Sequence, residues 1–236
     1  MTYVEGFVTA VPTANRAQYI EHAEAAASFI KECGAARFVE TWGDDVPRGK
    51  VTDFHGAVQA RDDETVLFSW FEYPDKATRD AANAKMMADP RMEEMGKSMP
   101  FDGSRMIYGG FASIVEEGTP GGDYIDGIVL PVPAGQKQAY TDLARKSAAV
   151  FRSYGATRAV EAWGDDVPDG KVTDYKRAVK AEGDEAVVYS FIEWPDKSTR
   201  DAGWKRMMDE DPLKDDAMPF DGKRMFWGGF RPLLDL

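Results

Sequence analysis

Trp42-Gly43-Asp44-Asp45-Val46-Pro47 returns unchanged as Trp163-Gly164-Asp165-Asp166-Val167-Pro168, at an offset of 121 residues. The same offset aligns Lys50-Val51-Thr52-Asp53 with Lys171-Val172-Thr173-Asp174, and Thr78-Arg79-Asp80 with Thr199-Arg200-Asp201. Met99-Pro100-Phe101-Asp102-Gly103 matches Met218-Pro219-Phe220-Asp221-Gly222 at 119, so two residues are lost between the blocks in the variable stretch from Asp89 to Ser98. A period near 120 is domain-sized, far above the roughly 20 to 50 residues of solenoid repeats. The chain is therefore one unit written twice, and we divide it into residues 1–117, a linker 118–123 rich in glycine with Pro120, and residues 124–236.

Working outward from the hexapeptide, each copy alternates between extended and helical patterns. Tyr3–Val11 reads as a strand ended by Pro12, and Tyr124–Val132 is its copy. Ile20, Ala23, Ala27 and Ile30 fall at helical spacing before Gly34, as Ala144, Ala148 and Phe151 do before Gly155. Arg37–Trp42 is a second strand, and Gly43–Gly49, with two acids, a proline and two glycines, reads as a turn. An extended piece around Ala57–Ala60 follows, then the strongest strand signal, Thr65–Tyr73. Pro74 and Asp75 end it and open a helix from Lys76 to Met87, copied at Lys197–Met208; Arg105–Ile114 and Arg224–Arg231 are the last strands. Strand, helix, strand, strand, helix, strand is the ferredoxin-like α+β plan.

Alternate residues of a strand face opposite ways. One phase is aliphatic (Val4, Val8, Val39, with Leu67 and Phe71) and is expected under the helices. The other places a carboxylate among aromatics on three strands of each copy: Glu5, Glu40 and Glu72 with Phe38, Trp42, Phe68 and Trp70, then Asp126, Glu161 and Glu193 with Trp163 and Tyr189. So large an aromatic face needs a cover. The simplest cover is the other copy, the two sheets facing each other as an intramolecular pseudo-dimer with a pocket between them, further oligomerisation being left open. Glu40, Glu72, Glu161 and Glu193 are then candidate proton-transfer groups, with Glu5, Trp42, Trp70, Asp126, Trp163 and Tyr189 as binding residues. The competing reading is that every acid is paired and the aromatic face is a packed interface.

Other features narrow the function class. A net charge of -12 with scattered Lys and Arg argues against nucleic acid as a partner. No apolar run approaches the roughly 18 to 20 residues of a membrane span, and the first residues lack the pattern of a signal peptide, so the expected location is the cytoplasm. Cys33 is the only cysteine and its counterpart is Tyr154; the counterparts of His22 and His55 are Leu143 and Lys176. No shared thiolate or imidazole site exists, which implies no metal and no haem held alike by both copies. Asp44, Asp45 and Asp53 are oxygen donors, but their spacing fits no EF-hand and reads better as a turn.

The run from Val39 to Pro47 followed by Gly49–Asp53, together with Pro74-Asp75-Lys76, Arg79-Asp80 and Met99–Gly103 with Arg105-Met106, resembles the domain-of-unknown-function family 1428. The resemblance spans both copies. It implies a dimeric α+β barrel, in which two ferredoxin-like units pack sheet to sheet, and it carries no catalytic residue over. The functional expectation is a small-molecule protein working without a bound cofactor, either an acid/base or oxygenase-type enzyme or a binder. The alternative is a noncatalytic interaction module.

Overall fold

The computed structural model describes residues 2–236. Eight strands, all paired antiparallel, close into one barrel: β1 (Tyr3–Pro12), β2 (Arg37–Asp45), β3 (Glu64–Tyr73), β4 (Ile107–Gly118), β5 (Tyr124–Pro133), β6 (Arg158–Asp166), β7 (Glu185–Trp194) and β8 (Phe226–Asp235). Their order around the barrel is β1-β3-β2-β8-β5-β7-β6-β4. The helices are α1 (Arg16–Cys33), α2 (Phe54–Ala57), α3 (Lys76–Ala88), α4 (Pro90–Lys97), α5 (Lys137–Ser153), α6 (Tyr175–Ala178) and α7 (Lys197–Glu210). Asp75 and Asp196 start α3 and α7 by accepting the backbone N–H groups of Thr78 and Thr199, and Gly34 closes α1 at φ 124°.

The repeats do not merely face each other; they share one sheet. β2 hydrogen-bonds to β8 and β4 to β6, so each repeat lends an edge strand to the other and no edge remains. β2 and β6 extend through Trp-Gly-Asp-Asp, with register shifts at Gly43/Asp45 and Gly110/Phe111. The hexapeptide thus begins as strand and only Val46-Pro47 leads into the turn, because the neighbouring repeat supplies a ladder that the local sequence cannot reveal. The piece around Ala57 is likewise not extended: α2 occupies Phe54–Ala57, capped by Asp53.

Closure gives the sheet two buried faces. Val4, Val8, Val39, Phe68, Trp70, Ile125, Val129, Tyr189 and Phe191 fill the barrel interior. Tyr3, Phe38, Leu67 and Phe71 lie on the outer face beneath α1 and α3, with Trp42 half-buried against them. The expected phase therefore holds for β3 and is reversed for β1 and β2. The interior is filled by two ring pairs that cross between the repeats, Phe68 on Tyr189 at 4.3 Å and Trp70 on Phe191 at 4.2 Å. Glycine makes room for the first pair: a Cβ at Gly6 would stand 2.7 Å from the Tyr189 ring, and one at Gly127 would stand 2.8 Å from Phe68. A pocket between the two sheets is thereby corrected to a packed core.

Candidate functional site

The six carboxylates go to three different places. Glu72 and Glu193 close one end of the barrel interior with Arg37 and Arg158. Arg37 grips Glu193 of the second repeat with both terminal nitrogens (2.7 and 2.8 Å), while Arg158 grips Glu72 of the first (2.7 and 2.9 Å). Burial opposes the charge on Glu72, but the Arg158 and Arg37 guanidiniums hold it below its usual value. The exchange is reciprocal: each bidentate pair crosses between the repeats, with a single longer contact inside each (Arg37–Glu72 3.1 Å, Arg158–Glu193 3.2 Å).

Glu5 and Asp126 lie on the outer face. Arg79 binds Glu5 at 2.9 Å, and Arg200 binds Asp126 at 2.8 Å. Asn83 also donates to Glu5, whereas Trp194 and Trp204 donate to Asp126. Asp126 is wholly buried, and burial raises its pKa against the pull of Arg200 and the indoles. The paired aspartates of the repeated hexapeptide hold the same arginines from the opposite repeat. Asp45 accepts from Arg200 and Asp166 from Arg79, while Asp44 and Asp165 accept the hydroxyls of Tyr124 and Tyr3. These are partners across the barrel, not the local turn bonds expected of them.

Glu40 and Glu161 remain. Tyr19 donates to Glu40 at 2.6 Å with Ser69 on the same oxygen, and Tyr140 donates to Glu161 at 2.6 Å. Burial pushes both carboxyls up to about 7 against the opposing pull of these hydroxyls. Here the repeats diverge. Glu40 is 7% exposed and Ser69 3%, sealed under Phe7, Phe71, Phe101 and the α4 residues Met92 and Met95. Phe7 and Phe71 have Ile128 and Ile192 as counterparts, and the segment after α7 forms turns where the first repeat has α4.

The space so released is a cavity of about 600 Å³ on the outer face of the second repeat. Its floor is Ile128 and Leu130 of β5, Glu161 of β6, and Ser190 and Ile192 of β7; its walls are Tyr140, Leu143 and Phe151 of α5 and Trp204 and Met207 of α7. Phe220, Met218 and Trp227 rim it, with Met218 and Trp227 substantially exposed. Glu161 and Ser190 are cross-strand partners in the β6/β7 ladder. Glu161 is enclosed by protein, yet the open cavity leaves part of its surface accessible, so water there softens the burial effect on its charge. Ser190 is 1% exposed; its Oγ makes no hydrogen bond of good geometry, yet its hydroxyl lies close enough to Glu161 to pull that carboxyl's pKa down.

Of the ten site residues expected from sequence, only Glu161 lines this cavity. Trp70 and Tyr189 are in the barrel core, and Trp163 packs beside Tyr140 under Lys137. Trp42 is covered by Arg16. Sequence reasoning missed Tyr140 and Ser190, although both recur at the common offset as Tyr19 and Ser69. His22 is half-buried beside Phe101, where burial lowers its pKa, and His55 bonds the Val46 carbonyl.

Fold and site define an α+β barrel protein with a ligand-sized, largely apolar cavity against its sheet. The chain belongs to the family described as "Protein of unknown function (DUF1428)", whose model matches residues 2–103 and again 123–222. It is 62% identical over 117 residues to "Uncharacterized protein YbaA" of Escherichia coli (strain K12), covering 100% of that protein and 50% of this chain. Among solved structures it is similar to a "Putative monooxygenase" from Fusobacterium nucleatum (TM-score 0.59, 8% identity, 99% of this chain and 93% of that one). It is also similar to one of the same description from Lactobacillus acidophilus (TM-score 0.57, 10% identity, 100% and 96%). An "anthrone oxidase-like protein" matches with TM-score 0.54 at 14% identity, over 100% and 92%. At these identities the likeness is one of fold. Among the described residues no helix is long and apolar enough to cross a membrane.

Proposed function

We propose that the protein acts on a small molecule held in the second-repeat cavity, with Glu161 exchanging a proton with it. The observation that carries this reading is a carboxyl poised near neutrality, oriented by Tyr140 and adjacent to the Ser190 hydroxyl, on the floor of an apolar cavity open to solvent. A general base works best when its pKa lies near the working pH, and burial brings Glu161 there. Proton abstraction from a C–H or O–H of the ligand leaves an electron-rich anion. Return of the proton at another atom gives an isomerisation with no net redox change. Reaction with dioxygen as oxidant turns a CH2 into C=O, with the second oxygen atom leaving as water. The neighbours described as monooxygenases lend support to the second outcome.

We assign Glu72, Glu193, Glu5 and Asp126 to structure, since each is met by an arginine, and Glu40 to a sealed copy of the site. The chain is read as doing alone what two copies of a single unit do as a pair, a view supported by the full-length match to a 117-residue relative. Thermal-shift screening of small aromatic and carbonyl compounds tests the site. Hits on the wild type should weaken in Glu161→Gln and vanish in Ser147→Trp, which fills the cavity from α5. Undiminished shifts in both variants would place the ligand elsewhere.

A further inference from the structure

The lining of the cavity carries information about what fits it, and this inference rests on the reading of that cavity as the ligand site. Its walls present rings from two sides, Tyr140 with Phe220 at 5.8 Å and Phe151 with Trp204 at 4.9 Å. Such surfaces hold a flat ring by stacking and edge contacts. About 600 Å³ is in the range of pockets for molecules of two or three fused rings.

Besides Ser147 and Asp211, the polar lining falls in two places. On the wall, Arg200 is the lining cation, and it is met by Asp126, Asp45 and Asp201. Three carboxylates around one guanidinium, with Glu161 on the floor, make the cavity unfavourable to a carboxylate or phosphate ligand. On the floor, Glu161 Oε2 accepts from Tyr140, and among the described residues Oε1 has no protein partner. Beside it stands Ser190 Oγ, buried, near the Glu161 carboxyl but in no hydrogen bond of good geometry with it, and able both to donate and to accept. Burying such a hydroxyl without a good partner is unfavourable, so a group that completes it is favoured. A ligand hydroxyl fits both requirements at once, donating to Glu161 Oε1 and accepting from Ser190; a ketone oxygen meets only the second.

In the first repeat Ser69 and Tyr19 both bond Glu40 Oε2, and the carboxyl lies under the packed Phe7 and Phe71 rings. No hydroxyl there is left for a ligand, and the rings bar its approach to Oε1. We propose that the chain binds one uncharged, flat aromatic compound per molecule, in the second repeat only, anchored by a ring hydroxyl on Ser190 and Glu161.

Isothermal titration of the full chain with 2-naphthol, naphthalene and 2-naphthoate tests this. The expected result is one 2-naphthol per chain, bound about tenfold more tightly than naphthalene, with 2-naphthoate weaker than both; tenfold is the worth of one to two hydrogen bonds. Ser190→Ala should remove most of the naphthol advantage and leave naphthalene unchanged. Two naphthols per chain, equal affinity for naphthol and naphthalene, or a preference for the carboxylate would each overturn the proposal. The underlying site has a separate check in Ser147→Trp, confirmed folded by its melting curve. If that variant binds all three compounds as the wild type does, or if the wild type binds none, the cavity is not the site and both readings fall.

Discussion

Replacing Glu40 by glutamine isolates the energetic consequence of a sealed carboxyl. In the folded protein burial lifts this group from its ordinary value of 4.5 to about 7. Its ionised form is therefore disfavoured by the fold. Below about pH 4.5 the carboxyl is neutral in both the folded and unfolded chain and contributes no pH-dependent penalty. As pH rises from 4.5 to 7 the unfolded chain releases its proton first, and stability falls. Above 7 both states are ionised and the loss is complete. A shift of this size corresponds to about 3 kcal/mol, of which about 2.5 develops between pH 5 and pH 8. Glutamine keeps an oxygen for the Tyr19 and Ser69 hydroxyls but cannot titrate. Urea unfolding of wild type and Glu40→Gln at intervals from pH 5 to 8 reads the effect as a difference of differences, in which groups common to both proteins cancel. The wild type should lose about 2.5 kcal/mol relative to the variant as pH rises. Parallel stability curves would refute the assignment of a burial-raised pKa to Glu40.

The other expectations concern the barrel end, the ring stack and the cavity floor. Arg158→Met leaves Glu72 without its bidentate partner in a buried setting and should cost about 3 to 5 kcal/mol by chemical denaturation, most of it recovered by adding Glu72→Met. An Arg158→Met variant within about 0.5 kcal/mol of wild type would show that the cluster is solvated. Gly127→Ala drives a methyl group into the Phe68 ring and should destabilise by about 1 to 3 kcal/mol, with Gly6→Ala acting alike on Tyr189. Carbon-13 NMR of labelled glutamate should show two carboxyls, Glu40 and Glu161, with midpoints near 7. A titration in which every glutamate is ionised by pH 5.5 would remove Glu161 from any proton-transfer role.

Much of the architecture could be read from the residues. The common offset gave the duplication, and caps such as Asp75 and Asp196 lie where the helices begin. The phase of the strands was harder, and for a physical reason. Alternation assigns faces only when one face meets water, and here both faces are buried, one in the barrel and one under helices. Aromatic against aliphatic does not tell inside from outside, so alternation alone puts Val4 and Val39 under helices, whereas they line the barrel. The ladder that draws Gly43-Asp44-Asp45 into β2 comes from β8, nearly two hundred residues away in sequence, and leaves no local trace. Of the candidate site, Glu161 was legible as a carboxyl among aromatics. Its setting was not, because the cavity arises from the absence of bulk at Ile128 and Ile192, and small differences of side-chain size between copies carry no marked pattern.

The closed first site and open second site bear on what covalent fusion permits. In an assembly of two identical chains, each substitution lands in both halves, so a change that opens a cavity opens two, and a change that stiffens one half stiffens both. Here Phe7 and Ile128, or Phe71 and Ile192, occupy matching places with opposite effect. One half is free to be densely packed while the other keeps a cavity, and the β2–β8 and β4–β6 ladders tie the two halves into one sheet. Joining the copies releases the molecule from having to be equally good, and equally compromised, on both sides.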